Sequence, residues 1–141
     1  MSQTAIPSHL RQKLLTQAQF RCGYCHTQEE ISGISLEVDH IQPESAGGLT
    51  EEINLWMACS SCNGYKGSQS SAIDPKTGHN APLFNPRTQT WSSHFQWNGD
   101  GTIIIGLTEI GRATVHALKL NHSLIVKARR RWTMAGWHPP K

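Results

Sequence analysis

At 141 residues, with 37% hydrophobic and 16% charged side chains, the chain has the composition of one globular domain, or of a small domain with an appendage, and not of a disordered segment. No stretch approaches the ~18 consecutive apolar residues of a membrane span. The opening MSQTAIPSHLRQKLL lacks the basic-then-apolar pattern of a secretory signal, so a cytoplasmic protein is expected. The net charge of +3 is uneven. Residues 1–111 carry six Lys/Arg against ten Asp/Glu, a balance of −4, whereas residues 112–141 carry seven Lys/Arg and no acid. A cationic tail suits a polyanion such as nucleic acid, with a solvated helix face as the plainer alternative.

SHLRQKLLTQAQF reads as a helix capped by Ser8, with Leu10, Leu14, Leu15 and Ala18 on one face. It leads into CGYC, the first of two cysteine pairs: Cys22 and Cys25, then Cys59 and Cys62 in CSSC. Disulfides rarely persist in the cytosol. A two-residue gap lets both sulfurs of a pair reach one tetrahedral Zn²⁺ at ~2.3 Å. Two pairs therefore predict a structural zinc, with two disulfides or a redox pair as alternatives. The stretch from Cys25 to Cys59 exceeds the ~15–20 residues of a simple zinc ribbon, so a folded element must be inserted between the knuckles. Four thiolates leave no open position on zinc, which makes it structural and not catalytic.

The inserted element reads as strand, loop, strand, helix. ISLEVDHI alternates through Ile34, Leu36 and Val38 and predicts a strand ending at His40–Ile41. QPESAGGLTEEI, with Pro43, Gly47 and Gly48, predicts a long loop. NLWMAC, opened by Asn54, predicts a strand pairing back on the first, and SSCNGYKGSQS a short helix or turn. Asp39 and His40 stand at the end of the first strand, and Asn63 directly follows the last cysteine. Neighbouring strand residues point to opposite faces, so Asp39 and His40 can serve one spot only where the strand ends or bulges.

DPKTGHNAPLFNPRTQTW, rich in turn formers, predicts an ordered connector. HFQWNGDGTIIIG predicts a β-hairpin turning at residues 98–101, with Phe95 and Trp97 facing Ile103 and Ile105. LTEIGRATVHALKL predicts a helix capped by Thr108. NHSLIVKARRRWTMAG predicts another, with Leu124, Ile125, Ala128 and Trp132 inward and Lys127, Arg130 and Arg131 outward, stopped by Gly136 and the prolines. That basic stripe could lie along a DNA backbone.

DHIQPESAGG…NLWMACSSCNGYKG, preceded by CGYC, closely resembles the HNH nuclease family, also called His-Me finger or ββα-metal nucleases. The likeness covers roughly residues 22–67 and rests on Asp-His, the central Asn, the residue after the final Cys and both knuckles. It implies a ββα-metal core, and with the zinc and the C-terminal elements read above the expectation is an α+β fold: a nuclease core with a structural four-cysteine zinc, residues 1–70, and a connector, hairpin and basic helical extension, residues 71–141. It implies hydrolysis of DNA phosphodiester bonds, with RNA left open. His40 would be the general base, an unperturbed imidazole titrating near ~6.5. Asp39 and Asn63 would hold one divalent ion, and Asn54 would hold the loop and orient His40. Many members have His where this chain has Asn63, and two oxygen donors suit Mg²⁺ or Mn²⁺ better than an imidazole does.

Each residue also has a plainer reading: Asp39 as a turn cap, His40 as a satisfied strand-end histidine, and Asn54 and Asn63 as local backbone binders. Lys66 reads as a phosphate contact or a solvated lysine. Glu37 shares a face with Asp39 and could assist the metal or sit in solvent. His9, His26 and His79 read as surface residues, and Trp91, Trp97 and Trp137 as scaffold. The alternative to an endonuclease is a catalytically inactive, zinc-stabilised nucleic-acid-binding module; a nuclease that needs a protein partner is a third reading. A monomer or weak dimer is expected.

Overall fold

The computed structural model describes residues 5–141; residues 1–4, which open the stretch read above for a leader, lie outside them. Helix α1 (Ser8–Gln17) buries Leu14 and Leu15, the middle of the apolar stripe that runs from Leu10 to Ala18 at helical spacing. Ser8 does not cap it. Pro7 takes the N-cap position and offers no side-chain hydrogen bond. After the first cysteine pair comes the single turn α2 (Glu29–Ser32), closed by Gly33 at φ 73°, for which the sequence pattern held no clear signal.

Strand β1 (Glu37–His40) pairs antiparallel with β2 (Leu55–Ala58), Glu37 opposite Ala58 and His40 opposite Leu55. The 41–54 connection contains two 3-10 turns, Glu44–Ala46 and Glu52–Asn54. Asn54 therefore ends a turn and does not open the strand. Helix α3 (Ser60–Lys66) follows β2 after one residue and packs back on β1.

A further antiparallel pair, β3 (Ser71–Ile73) just before the expected connector with β4 (Asn80–Pro82) inside it, is not among the expected elements. The short helix α4 (Trp91–His94) runs into β5 (Phe95–Trp97), which pairs with β6 (Ile104–Gly106). Phe95 lies opposite Gly106 and Trp97 opposite Ile104, a register different from the expected one. The cause is Asn98, whose side-chain oxygen accepts from the amides of both Thr102 and Ile103 and lengthens the loop. Helix α5 (Glu109–Ala117) is capped by Thr108, which accepts from Gly111 N. Helix α6 (Ser123–Met134) is capped by the His122 imidazole. On α6 the expected inward stripe is only partly right: Leu124 is 71% exposed and Arg129 is 0% exposed.

The largest buried apolar side chains, among them Leu14, Tyr24, Leu55, Met57, Phe95, Ile104 and Leu118, form one cluster. At ~1.5–3 kcal/mol for each fully buried large side chain, that cluster is the main source of stability. It draws on both sides of residue 70, so the ββ pair and α3 rest on the C-terminal elements. Among the described residues no helix is long and apolar enough to cross a membrane.

One polar anchor ties β3–β4 to α5. The buried Asp74 carboxylate takes Arg112 in a fork, Nη2 at 2.9 Å and Nε at 3.0 Å, together with Lys76 N and the Thr77 hydroxyl. Arg112 and these donors hold the Asp74 carboxyl well below the usual carboxylate range. A depressed folded-state pKa stabilises the fold above the unfolded carboxylate pKa, and that stability is lost as pH falls. The unfolding free energies of wild type and Asp74→Asn should therefore differ fully at pH 7 and converge as pH drops below about 4, as urea titrations at several pH values would show.

Candidate functional site

The base of the site is built from the two cysteine pairs. In the first, Cys22 N donates to Thr27 O at 2.9 Å and His26 N to Cys22 O at 3.1 Å, closing a tight turn. In the second, Cys59 is the N-cap of α3, and its sulfur accepts from Cys62 N at 3.4 Å. Tyr24 N reaches Cys22 Sγ at 3.4 Å in the same manner. The four sulfurs lie within 4.8 Å of one another, with Cys25 and Cys59 Sγ 3.6 Å apart. Tetrahedral Zn–S bonds of ~2.3 Å put sulfurs ~3.8 Å apart, so the cluster fits zinc, and none of the four is paired in a disulfide. Burial pushes the Cys22 thiol up and the neighbouring sulfurs push Cys62 up. A cation among them is what makes four thiolates compatible.

This base fixes the start of α3 and so places its next side chains. Asn63 faces β1 and donates Nδ2 to Glu37 Oε1 at 2.8 Å. Lys66 lies one turn further on, 1% exposed. Its Nζ donates to Asp39 Oδ1 at 3.2 Å and to His40 O at 2.9 Å. The second Asp39 oxygen accepts from the Tyr24 hydroxyl at 2.5 Å. Asp39, 2% exposed, thus joins the first knuckle, β1 and α3. Burial pushes its carboxyl above the ordinary value, while Lys66, Tyr24 and His40 act in the opposite direction.

Asp39, His40 and Asn63 line one cavity of about 550 Å³ between the end of β1 and α3, with Glu37 and Glu44 also on its wall. Alternation along a strand would send Asp39 and His40 to opposite faces, but β1 stops at His40. The His40 ring is held by Thr50, its Nε2 lying 2.9 Å from Thr50 Oγ1 and 3.7 Å from Glu44 Oε1.

Asn54 locks the loop that closes this wall. Its oxygen accepts from Gln42 N at 2.8 Å, and its amide donates to Gln42 O at 3.0 Å and Leu49 O at 2.9 Å. Gly48 makes the closure possible, since a Cβ there would stand 1.8 Å from Gln42 O. Asn54 fastens the backbone beside His40, while the imidazole itself bonds to Thr50. That partner was not singled out in the sequence, because threonine in a loop carries no pattern.

Lys66 corrects the surface reading: an enclosed ammonium with two partners cannot reach a phosphate. His26 is also not a free surface residue. It stacks on Trp91 with ring centroids 4.2 Å apart, and burial pushes its pKa down to about 4. Trp137 is exposed, outside the scaffold role expected of it. Lys127, Arg130 and Arg131 are exposed on α6 and are not among the residues lining the cavity.

Residues 22–69 match the HNH endonuclease family. The HNH segment is about a third of the chain and contains both cysteine pairs, Asp39, His40, Asn54 and Asn63. The four-cysteine cluster fits a zinc-stapled type, and the match points to nuclease-type chemistry on nucleic acid. Searches of curated proteins and of solved structures gave no match.

Removing the loop clamp should open the wall of the cavity. Asn54→Ala deletes three hydrogen bonds and should lower stability by about 1–3 kcal/mol in urea unfolding, with faster amide exchange at Gln42. Unchanged exchange there would mean that the loop holds itself.

Proposed function

We propose that the HNH segment makes this chain a metal-dependent endonuclease that hydrolyses DNA phosphodiester bonds, with β1, β2 and α3 as its ββα-metal core. The observation that carries this reading is the single cavity shared by Asp39, His40 and Asn63. His40 is the general base that takes a proton from water. In the tautomer this needs, Nε2–H donates to Thr50, and Nδ1 is the unprotonated nitrogen that accepts. Glu44 Oε1 lies 3.7 Å from Nε2, on the side of the ring away from Nδ1.

Asp39 and Asn63 suit a hard cation. Each Asp39 oxygen has one donor and keeps a further lone pair. The bond from Asn63 Nδ2 to Glu37 leaves the amide oxygen for a ligand. Bound there, Mg²⁺ or Mn²⁺ would supply charge neutralisation at the scissile phosphate and the leaving oxygen. Glu37 holds the amide that way round. Lys66 opposes the upward push of burial on the Asp39 carboxyl and fixes the end of β1. The exposed Lys127, Arg130 and Arg131 offer phosphate contacts along α6.

The zinc-stabilised binding module is the other reading, and it needs the cysteines and a basic face but none of the cavity residues. Supercoiled plasmid with Mg²⁺ or Mn²⁺ separates the two. Wild type should nick or linearise it, and His40→Ala should lose about 10²–10⁴-fold in rate. Equal cleavage by both proteins would remove His40 from the base role, and no cleavage of any DNA or RNA by wild type would favour the binding module. Thr50→Val should slow cleavage by about three- to tenfold, the scale of one neutral hydrogen bond, and Thr50→Ser should restore it.

A further inference from the structure

Arg129 stands apart from the other cations of the basic C-terminal stretch. Its neighbours Arg130 and Arg131 are exposed, and it is 0% exposed. Its Nη1 donates to Thr102 O at 3.0 Å and Asn121 Oδ1 at 3.1 Å, and its Nη2 to Leu120 O at 2.6 Å. The guanidinium lies 5.2 Å from the centroid of the Trp97 ring. Every one of these partners is neutral. Nε is buried without a partner, and among the described residues no ion pair includes Arg129. A buried cation with no opposite charge is strongly unfavourable.

The missing charge lies across a small cavity. Arg129 lines it together with Cys25, Cys59 and Cys62. Burial pushes the guanidinium pKa down, and charge on the four cysteine sulfurs acts in the opposite direction. Four thiolates around one Zn²⁺ leave a formal surplus of two negative charges, in a site that is itself largely buried. That surplus requires a cation as much as Arg129 requires an anion.

We propose that Arg129 is the counter-charge of the four-cysteine metal site, acting across the cavity that it lines together with Cys25, Cys59 and Cys62. Helix α6 and zinc are then thermodynamically linked: loading the metal strengthens the seating of α6, and seating α6 tightens the metal. The C-terminal tail adds to the same clamp. Gln28 Nε2, three residues after Cys25, donates to Trp137 O at 2.8 Å. Lys127, Arg130 and Arg131 cannot replace Arg129, because exposed charges are screened by water. None of this depends on the chemistry of the cavity beside His40.

The test is zinc affinity, measured on the full chain by competition with a chromophoric chelator. Arg129→Met should weaken zinc binding by about ten- to a hundredfold, the scale of a lost outer-shell partner. Arg129→Lys, which keeps the charge but not the fork of donors, should lose less. The exposed controls Lys127→Met and Arg130→Met should stay within about twofold. A packing role is separated from a charge role by adding Cys59→His, which replaces a thiolate by a neutral ligand and halves the negative surplus. The loss caused by Arg129→Met should then shrink. An equal loss in both backgrounds, or a zinc affinity of Arg129→Met within about twofold of wild type, overturns the proposal. Should Arg129→Met fail to fold even with zinc, Arg129→Gln, which removes the charge but keeps an amide donor, gives the same comparison in the two backgrounds.

Discussion

The buried carboxylate of Asp39 is the constraint on which the site depends. A charge with so little exposure must be paired, or its desolvation goes uncompensated. Its two partners, Tyr24 and Lys66, come from the first cysteine knuckle and from α3. Tyr24 lies between Cys22 and Cys25, and Lys66 lies four residues after Cys62. Whatever fixes the sulfurs therefore also fixes the donors that Asp39 needs. The same Lys66 holds the carbonyl of His40, so the end of β1 has one backbone position, and His40 enters the cavity from it.

The metal base and the cavity are thus two ends of one small frame. The sulfurs set the first turn of α3, that turn sets the amide of Asn63, and Asn63 meets Glu37 two residues before Asp39. A hairpin of two four-residue strands is marginal alone. Here its strands are backed by the cluster containing Leu14, Leu55, Met57 and Phe95. The C-terminal elements are therefore part of what holds the site in shape, besides carrying the exposed cations of α6.

Much of the core was legible in the sequence because its signals are local. Cysteine pairs two residues apart, alternation through Leu36 and Val38, Pro43 with its glycines, and a short apolar run before Cys59 each report on their own neighbourhood. The β1–β2 pair and α3 follow those signals closely. What stayed hidden depends on distant partners. Lys66 and Arg129 look like surface cations in the sequence. They are enclosed because Asp39 lies 27 residues from the first and Thr102 lies 27 residues from the second. The β5–β6 register changed because one asparagine side chain accepts two backbone amides. The β3–β4 pair hid among turn formers, and Leu124 broke the helical stripe by facing solvent. Thr50 carries no pattern, so only its distance from His40 identifies it.

The central claim is that Asp39 and Asn63 share one hard cation next to His40. Its most direct test is paramagnetic broadening by Mn²⁺ in the ¹H–¹⁵N spectrum of the zinc-loaded full chain. Substoichiometric Mn²⁺ should first erase the side-chain amide of Asn63 and the backbone amides of Asp39 and His40. Broadening that spares these three groups, at manganese levels that erase others, would contradict the account.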